Sequence, residues 1–394
     1  MNKYRFIEEE LNRRRRQSHL RRLQSVTPLE GVDVRIEGRK VVNFCSNDYL
    51  GLSKHPLLIK RAVEFTERYG AGATASRLIC GTYDCFQAVE EKLAALKETE
   101  AALILNSGFQ ANVSILPALA DRQTLILSDQ LNHSSIIQGV LLSRCHVLRF
   151  RHNDVAHLEE LLKKNIDKGP CFNSTRARRL IVTESVFSMD GDQSDIGRLV
   201  GLARAFDALL VVDEAHATGV LGPRGMGLCC GKGVDLTIGT FGKACGSFGA
   251  YAACSRKLRD YLVNCCAGFI YSTAMPPSVI GSIDAALDLI PGMGEERKEL
   301  HAKADFLRLR LQNLGWRTGA SNTQIIPVMV GDEMEAMALS NHLKSKGVLA
   351  TAIRPPTVPD GQSRIRLALS ANHTVEHLEY LIQLFKEGHS HGNH

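Results

Sequence analysis

From residue 86 to residue 254 the sequence alternates short apolar runs with helical patterns, and few folds accommodate that alternation. Phe86–Leu96 has the helical period. Runs of strand length follow at Ala101–Leu105, Leu125–Leu127, His146–Phe150, Leu180–Thr183, Leu209–Val212, Leu236–Gly239 and Ala250–Ala253. Segments this short, apolar on both faces and separated by helices, predict a mainly parallel seven-stranded sheet covered on both sides, an α/β fold. Ligands of such sheets gather at the carboxyl ends of the strands. The turns that follow these runs are therefore where chemistry is expected.

Two of those turns carry reactive groups. Gly239 to Ala250 places Lys243 among four glycines. Glycines let a ligand approach the backbone, and a partly desolvated lysine can act as a neutral nucleophile. Leu209–Val212 runs into Asp213, and His216 follows closely. Read singly, Asp213 could be a helix N-cap and His216 a core histidine. Together with Lys243 they form the set that pyridoxal phosphate needs, a lysine for its Schiff base and a carboxylate for its ring nitrogen. Asn106 to Asn112 reads as a strand end, a glycine turn and a helix start, where N–H groups and the helix dipole make a phosphate site. His133 stands in a polar turn, either to stack on a cofactor ring or to cap a helix. Gly242-Lys243 is no P-loop, because Ala244 stands where a Ser or Thr must hold magnesium and the upstream glycine spacing is wrong.

The flanks read differently. Phe6–Leu23 is expected to be a surface helix, its apolar positions thinly spread, and Val32–Ile36 with Lys40–Phe44 a hairpin. Past Ile290-Pro291-Gly292-Met293-Gly294 come a charged helix over Glu295–Leu314 and strands at Ile325–Val330, Val348–Ala352 and Arg364–Leu369. The expected organisation is an N-terminal segment over 1–50, packed with the small domain, a large domain over 51–290, a small α+β domain over 291–388 and a tail over 389–394. His389, His391 and His394 belong to that tail, read as a disordered end and not a metal site. No apolar run approaches the roughly 18 residues of a membrane span. Met1 to Arg22 is charged and lacks a signal-peptide core, so the expected location is cytoplasmic. The 11 cysteines include adjacent pairs, Cys229-Cys230 and Cys265-Cys266, rather than C-x-x-C spacing, and read as reduced packing residues. A net charge of +6 suits anionic small molecules. The run Arg13 to Arg16 has no interleaved aromatics, so nucleic acid is not expected.

At these residues the chain resembles the α-oxoamine synthases, pyridoxal-phosphate enzymes of the aspartate-aminotransferase fold (fold-type I). The similarity takes in Asn43-Phe44-Cys45-Ser46-Asn47-Asp48-Tyr49-Leu50-Gly51-Leu52, the stretch Thr183 to Asp192, Tyr271 to Pro277, and Ala352-Ile353-Arg354-Pro355-Pro356-Thr357-Val358-Pro359. The resemblance implies a large sheet domain and a small α+β domain. It assigns the cofactor to Lys243 and Asp213, its phosphate to Gly108, Phe109 and Thr240, its ring face to His133, and its ring oxygen to Ser188 and His216. It places the amino-acid carboxylate at Arg366 and the acyl substrate at Thr357 and at Arg21 or Arg22. His133 also belongs to the substrate site by the same resemblance. The implied reaction is the decarboxylating condensation of L-alanine with a pimeloyl thioester; glycine with acetyl-CoA is the alternative pair. Family members are homodimers, so Ser272 and Thr273 are expected to reach the partner's phosphate.

Overall fold

The apolar runs pair with one another because each has two faces to bury. In the computed structural model, which describes residues 2–17, 19–21, 23–165 and 178–389, they form one seven-stranded sheet. Its order is Ala101–Leu105, Ala250–Cys254, Leu236–Thr240, Ala208–Asp213, Arg178–Glu184, Thr124–Asp129 and His146–Phe150. Ala250–Cys254 is antiparallel to both neighbours, and the other pairings are parallel. Successive side chains point to opposite faces. Leu180, Val182 and Val211 join a core with Ile115, Leu119, Ile136 and Val140. Ile181, Leu210 and Val212 join another with Leu158, Leu162, Leu199 and Val200. The sheet is thus covered on both sides, and its parallel strands end together.

The chain divides into two compact units, one of Asn47–Ser188 with Asp192–Glu299, which holds this sheet, and one of Met1–Ser46, Met189–Gly191 and Leu300–His394. The second unit has a four-stranded sheet, in the order Thr27–Pro28, Asp33–Ile36, Arg39–Asn43 and Val348–Leu349. It also has a three-stranded sheet, Ile325–Gly331, Ser363–Ala368 and Thr351–Ile353. The single strand expected over 348–352 is in fact two. Val348 and Leu349 pair with Val42 and Asn43, whereas Thr351 to Ile353 pair with Arg364 to Arg366. Ala350 lies between them, its carbonyl accepting from Ser340 Oγ at 2.7 Å. The first helix is also shorter than its sequence suggests, covering Arg5–Arg16, with no buried residue to extend it by packing. Arg22, His391 and His394 lie outside the described residues. Among those described, no helix is long and apolar enough to cross a membrane, and no cluster of His, Cys, Asp or Glu could hold a metal.

Candidate active site

Asp213 closes the strand Ala208–Asp213 and is buried. A buried carboxylate needs donors, and both oxygens find one. Oδ1 accepts from the Ala215 N–H at 2.8 Å, and Oδ2 from Asn112 Nδ2 at 2.7 Å. Asn112 lies on the helix Gly108–Leu119, four residues after Gly108. Helix Ser134–Leu142 packs closely there: a Cβ at Gly139 would stand 2.4 Å from the Asn112 carbonyl oxygen.

The start of the same Gly108–Leu119 helix has the chemistry to take an anion. Ser107 caps it by accepting from the Gln110 N–H at 3.2 Å. The first-turn N–H groups of Gly108 and Phe109 have no intrahelical acceptor. A Cβ on Gly108 would meet only the Thr240 Cβ, at 3.8 Å, so glycine leaves room beside that hydroxyl. Thr240 Oγ1 donates to the Gly249 carbonyl at 2.8 Å and accepts from the Gly242 N–H at 3.1 Å. The Phe109 side chain is exposed, so its contribution to such a site is the backbone. Next to this helix start, Asn106 Nδ2 donates to the Thr273 carbonyl at 2.8 Å, and Gln110 Nε2 to Ser272 Oγ.

Lys243 stands in the turn between Leu236–Thr240 and Ala250–Cys254. Backbone bonds close that turn: Phe241 N–H to the Gly249 carbonyl, Ser247 N–H to the Phe241 carbonyl, and Gly246 N–H to the Lys243 carbonyl, all 2.9 Å. Gly246 has φ of 62°, and a Cβ there would stand 2.4 Å from the Ser53 nitrogen, so a larger residue would displace the turn. Lys243 Nζ reaches to 2.7 Å from His216 Nε2, and the other ring nitrogen, Nδ1, is 2.6 Å from the Tyr49 hydroxyl.

His133 caps Ser134–Leu142: its Nδ1 accepts from the Ser135 N–H at 3.2 Å and lies 2.7 Å from Ser135 Oγ. Ser135 Oγ in turn accepts from Asn112 Nδ2 at 3.0 Å, which links His133 to Asp213 through two side chains. His133 is exposed by area, yet the atoms around its ring desolvate it enough to lower its pKa; Asp213 opposes the shift and Lys243 adds to it. A lowered pKa and an acceptor Nδ1 describe a neutral ring with its hydrogen on Nε2. Burial, and then the Asp213 charge, push the Glu184 carboxyl well above its usual range, and its Oε1 accepts from the His133 N–H at 2.6 Å. Ser188 is half-buried at the end of the loop after the strand Arg178–Glu184.

Lys243, His216, Asp213, His133, Thr240, Gly108 and Phe109 therefore meet at the carboxyl end of one sheet. Ser188 belongs to the same unit, whereas Arg21, Thr357 and Arg366 belong to the other. There, Arg21 Nη2 donates to Thr357 Oγ1 at 3.4 Å, and Arg366 is buried on Ser363–Ala368, opposite Pro327 and Thr351. Asn112, Ser135 and Tyr49 carry no role in the sequence reading. Asn112 had one signal, an amide on the otherwise apolar stripe of Gly108–Leu119 with Ile115 and Leu119. Tyr49 had only its place in a shared motif.

The donor set fits pyridoxal phosphate. A held carboxylate suits the ring nitrogen, an amine beside a histidine suits the aldehyde, and a bare helix start suits the phosphate. The model for aminotransferase class I and II matches residues 39–385. A Desulfosudis oleivorans protein provisionally named 8-amino-7-oxononanoate synthase is 60% identical over 98% of this chain and 98% of its own length. The 8-amino-7-oxononanoate synthase of Gluconacetobacter diazotrophicus is 49% identical over 96% of this chain and 95% of its own. The serine palmitoyltransferase of S. paucimobilis, solved with a bound pyridoxal phosphate–myriocin aldimine, is similar at a TM-score of 0.89 and 25% identity, covering 99% of this chain and 98% of that one. The chain belongs to the class I and II aminotransferase family and, within it, to the acyl-transferring 8-amino-7-oxononanoate synthases.

Proposed function

We propose that the chain uses pyridoxal phosphate to condense L-alanine with a pimeloyl thioester, releasing carbon dioxide and the thiol carrier and forming 8-amino-7-oxononanoate. The observation that carries this reading is Lys243 Nζ at 2.7 Å from His216 Nε2, at the same strand ends as a buried, doubly hydrogen-bonded Asp213. Bound pyridoxal phosphate would supply an electron sink for charge developing at the amino acid's α-carbon. Lys243 would be its covalent anchor, and Asp213 would hold a proton at its ring nitrogen. Gly108, Phe109 and Thr240 would take its phosphate, Ser188 and His216 its ring oxygen, and His133 its ring face. Once the amino acid replaces the anchor, the released Lys243 amine would remove the α-proton.

Arg366 would pair with the amino-acid carboxylate. Arg21 and Thr357 would meet the far carboxylate of the acyl chain, the feature that separates a pimeloyl from an acetyl group. The names of the relatives support this substrate pair, since 8-amino-7-oxononanoate has the carbon count of alanine plus a pimeloyl chain less one carbon dioxide. A homodimer, which the resemblance implies, is part of the proposal. The test offers alanine and glycine, each with pimeloyl-CoA and acetyl-CoA. Product from alanine and pimeloyl-CoA well above the other pairs is expected. Preference for glycine with acetyl-CoA would overturn the substrate assignment.

A further inference from the structure

Strands Thr124–Asp129 and His146–Phe150 run parallel with Asp129 opposite Phe150, so both end at the edge of the sheet where the site lies. The turn after the first carries His133. The turn after the second carries His152 and Asn153, which have no part in the reaction as proposed above. Asp129 is buried at its strand end. Its Oδ1 accepts from the Leu131 N–H at 2.8 Å and lies 3.1 Å from His152 Nδ1; its Oδ2 accepts from the Asn153 N–H at 2.9 Å. The same two residues reach a second buried carboxylate. His152 Nε2 lies 2.9 Å from Asp192 Oδ2, and Asn153 Nδ2 donates to that oxygen at 2.6 Å. Asp192 Oδ1 has no partner among the described residues, so the donors that a buried carboxylate requires reach it through Oδ2.

Asp192 closes the loop on which Ser188 sits. Its carbonyl accepts from the Phe187 N–H at 3.1 Å, Val186 pairs with Gln193, and the Ser194 N–H donates to the Ser185 carbonyl at 3.1 Å. The Phe187 ring, next to Ser188, meets the His152 ring edge to face with centroids 4.4 Å apart. The charge on His152 follows from its partners. Ionised carboxylates only accept, so a neutral ring would turn its lone pair on one of them. Burial lowers the His152 pKa, but the hydrogen bonds and charges of Asp129 and Asp192 prevail and raise it to about 10. The ring is therefore a cation with one N–H for each carboxylate.

We propose that His152 and Asn153 are positioning residues, which clamp Asp129 to Asp192 and so fix the spacing between the His133 turn and the Ser188 loop. The purpose of the clamp rests on the reading, given above, of His133 and Ser188 as contacts to the ring face and ring oxygen of the cofactor.

The experiment titrates pyridoxal phosphate into the full cofactor-free chain and records the visible circular dichroism of the bound cofactor, which reports the groups around its ring. His152→Gln removes the charge and one of the two bonds. It should weaken affinity roughly tenfold, about the effect of one hydrogen bond on an equilibrium, and alter the dichroism. Asn153 has φ of 52°, which glycine adopts freely, so Asn153→Gly keeps the N–H to Asp129 and loses only the amide. It should shift both readings in the same direction. If the clamp acts through the two loop residues, adding His152→Gln to His133→Ala/Ser188→Ala should cost little more. A general loosening of the fold would not depend on that background. Wild-type affinity and dichroism in both His152→Gln and Asn153→Gly overturn the proposal, and so does an equal loss from His152→Gln whatever stands at 133 and 188. Either result leaves the cofactor reading of His133 and Ser188 standing. Should His152→Gln fail to fold, Asn153→Gly, alone and in the His133→Ala/Ser188→Ala background, decides. Wild-type affinity in His133→Ala/Ser188→Ala itself would instead sink the cofactor reading of those residues, and the clamp with it.

Discussion

Asn112 holds Asp213 by a 2.7 Å hydrogen bond between side chains separated by 101 positions in the chain. Its amide is shared with Ser135 Oγ, so one residue connects the carboxylate to the cap of the His133 helix. Asn112→Ala would leave a buried carboxylate oxygen without its donor. Hydrogen bonds to charged groups contribute about 1.5–3 kcal/mol. Loss of about that much stability is expected in urea unfolding, together with weaker retention of pyridoxal phosphate on dialysis. Unchanged retention and stability would mean that Asp213 does not depend on Asn112.

Glu214, next in the chain to Asp213, is fully buried and ion-paired to Lys97, whose Nζ is 2.6 Å from Glu214 Oε2 and 2.6 Å from the Met226 carbonyl. The other Glu214 oxygen accepts from the Cys229 N–H at 2.8 Å. Burial lowers the Lys97 pKa most, but the charges and hydrogen bonds of Glu214 and Tyr251 together outweigh it and the net shift is upward. Removing one partner of such a pair leaves an uncompensated charge, at a cost of about 3–5 kcal/mol. Lys97→Met should lose about that much in chemical denaturation. The double variant Lys97→Met/Glu214→Gln should recover a large part of it. If the double variant is no better than the single one, the lysine packs rather than neutralises.

His152 bridges two carboxylates, with Nδ1 3.1 Å from Asp129 Oδ1 and Nε2 2.9 Å from Asp192 Oδ2. Burial lowers its pKa, but the hydrogen bonds and charges of Asp129 and Asp192 prevail and raise it from 6.5 to about 10. The folded state then binds a proton that the unfolded state releases at lower pH. This contribution is complete below about pH 6.5 and fades as pH rises towards about 10. Denaturation midpoints measured across that window should fall with pH in the wild type and fall less steeply in His152→Gln. Parallel slopes would show that His152 titrates alike in both states.

Arg21 donates to Thr357 in the unit that holds both. If the pair reads the far carboxylate of the acyl chain, Arg21→Ala should raise the KM for pimeloyl-CoA by about tenfold or more, the effect of one charge-assisted hydrogen bond. An uncharged acyl-CoA of equal length should scarcely respond. Equal losses with both substrates would make Arg21 a structural residue.

What could be read from the chain alone was what its local pattern encodes. Runs such as Leu209–Val212 and Leu236–Gly239 are strands because short, doubly apolar segments have nowhere else to bury both faces. Lys243, Asp213 and His133 were legible as candidates because each sits just past such a run, where a parallel sheet leaves its ligand edge. The order of the strands was not legible, nor was the reversed direction of Ala250–Cys254 between two parallel neighbours. Nor was the break at Ala350, where adjacent residues pair into two sheets. The partners of the reactive groups were equally hidden. Asn112 reaches Asp213 across 101 positions and Tyr49 reaches His216 across 167, and no periodicity joins residues so far apart. A strand's pattern records only which faces must leave water. Which buried donor meets which acceptor is decided when the packed chain has to satisfy every polar group it has enclosed.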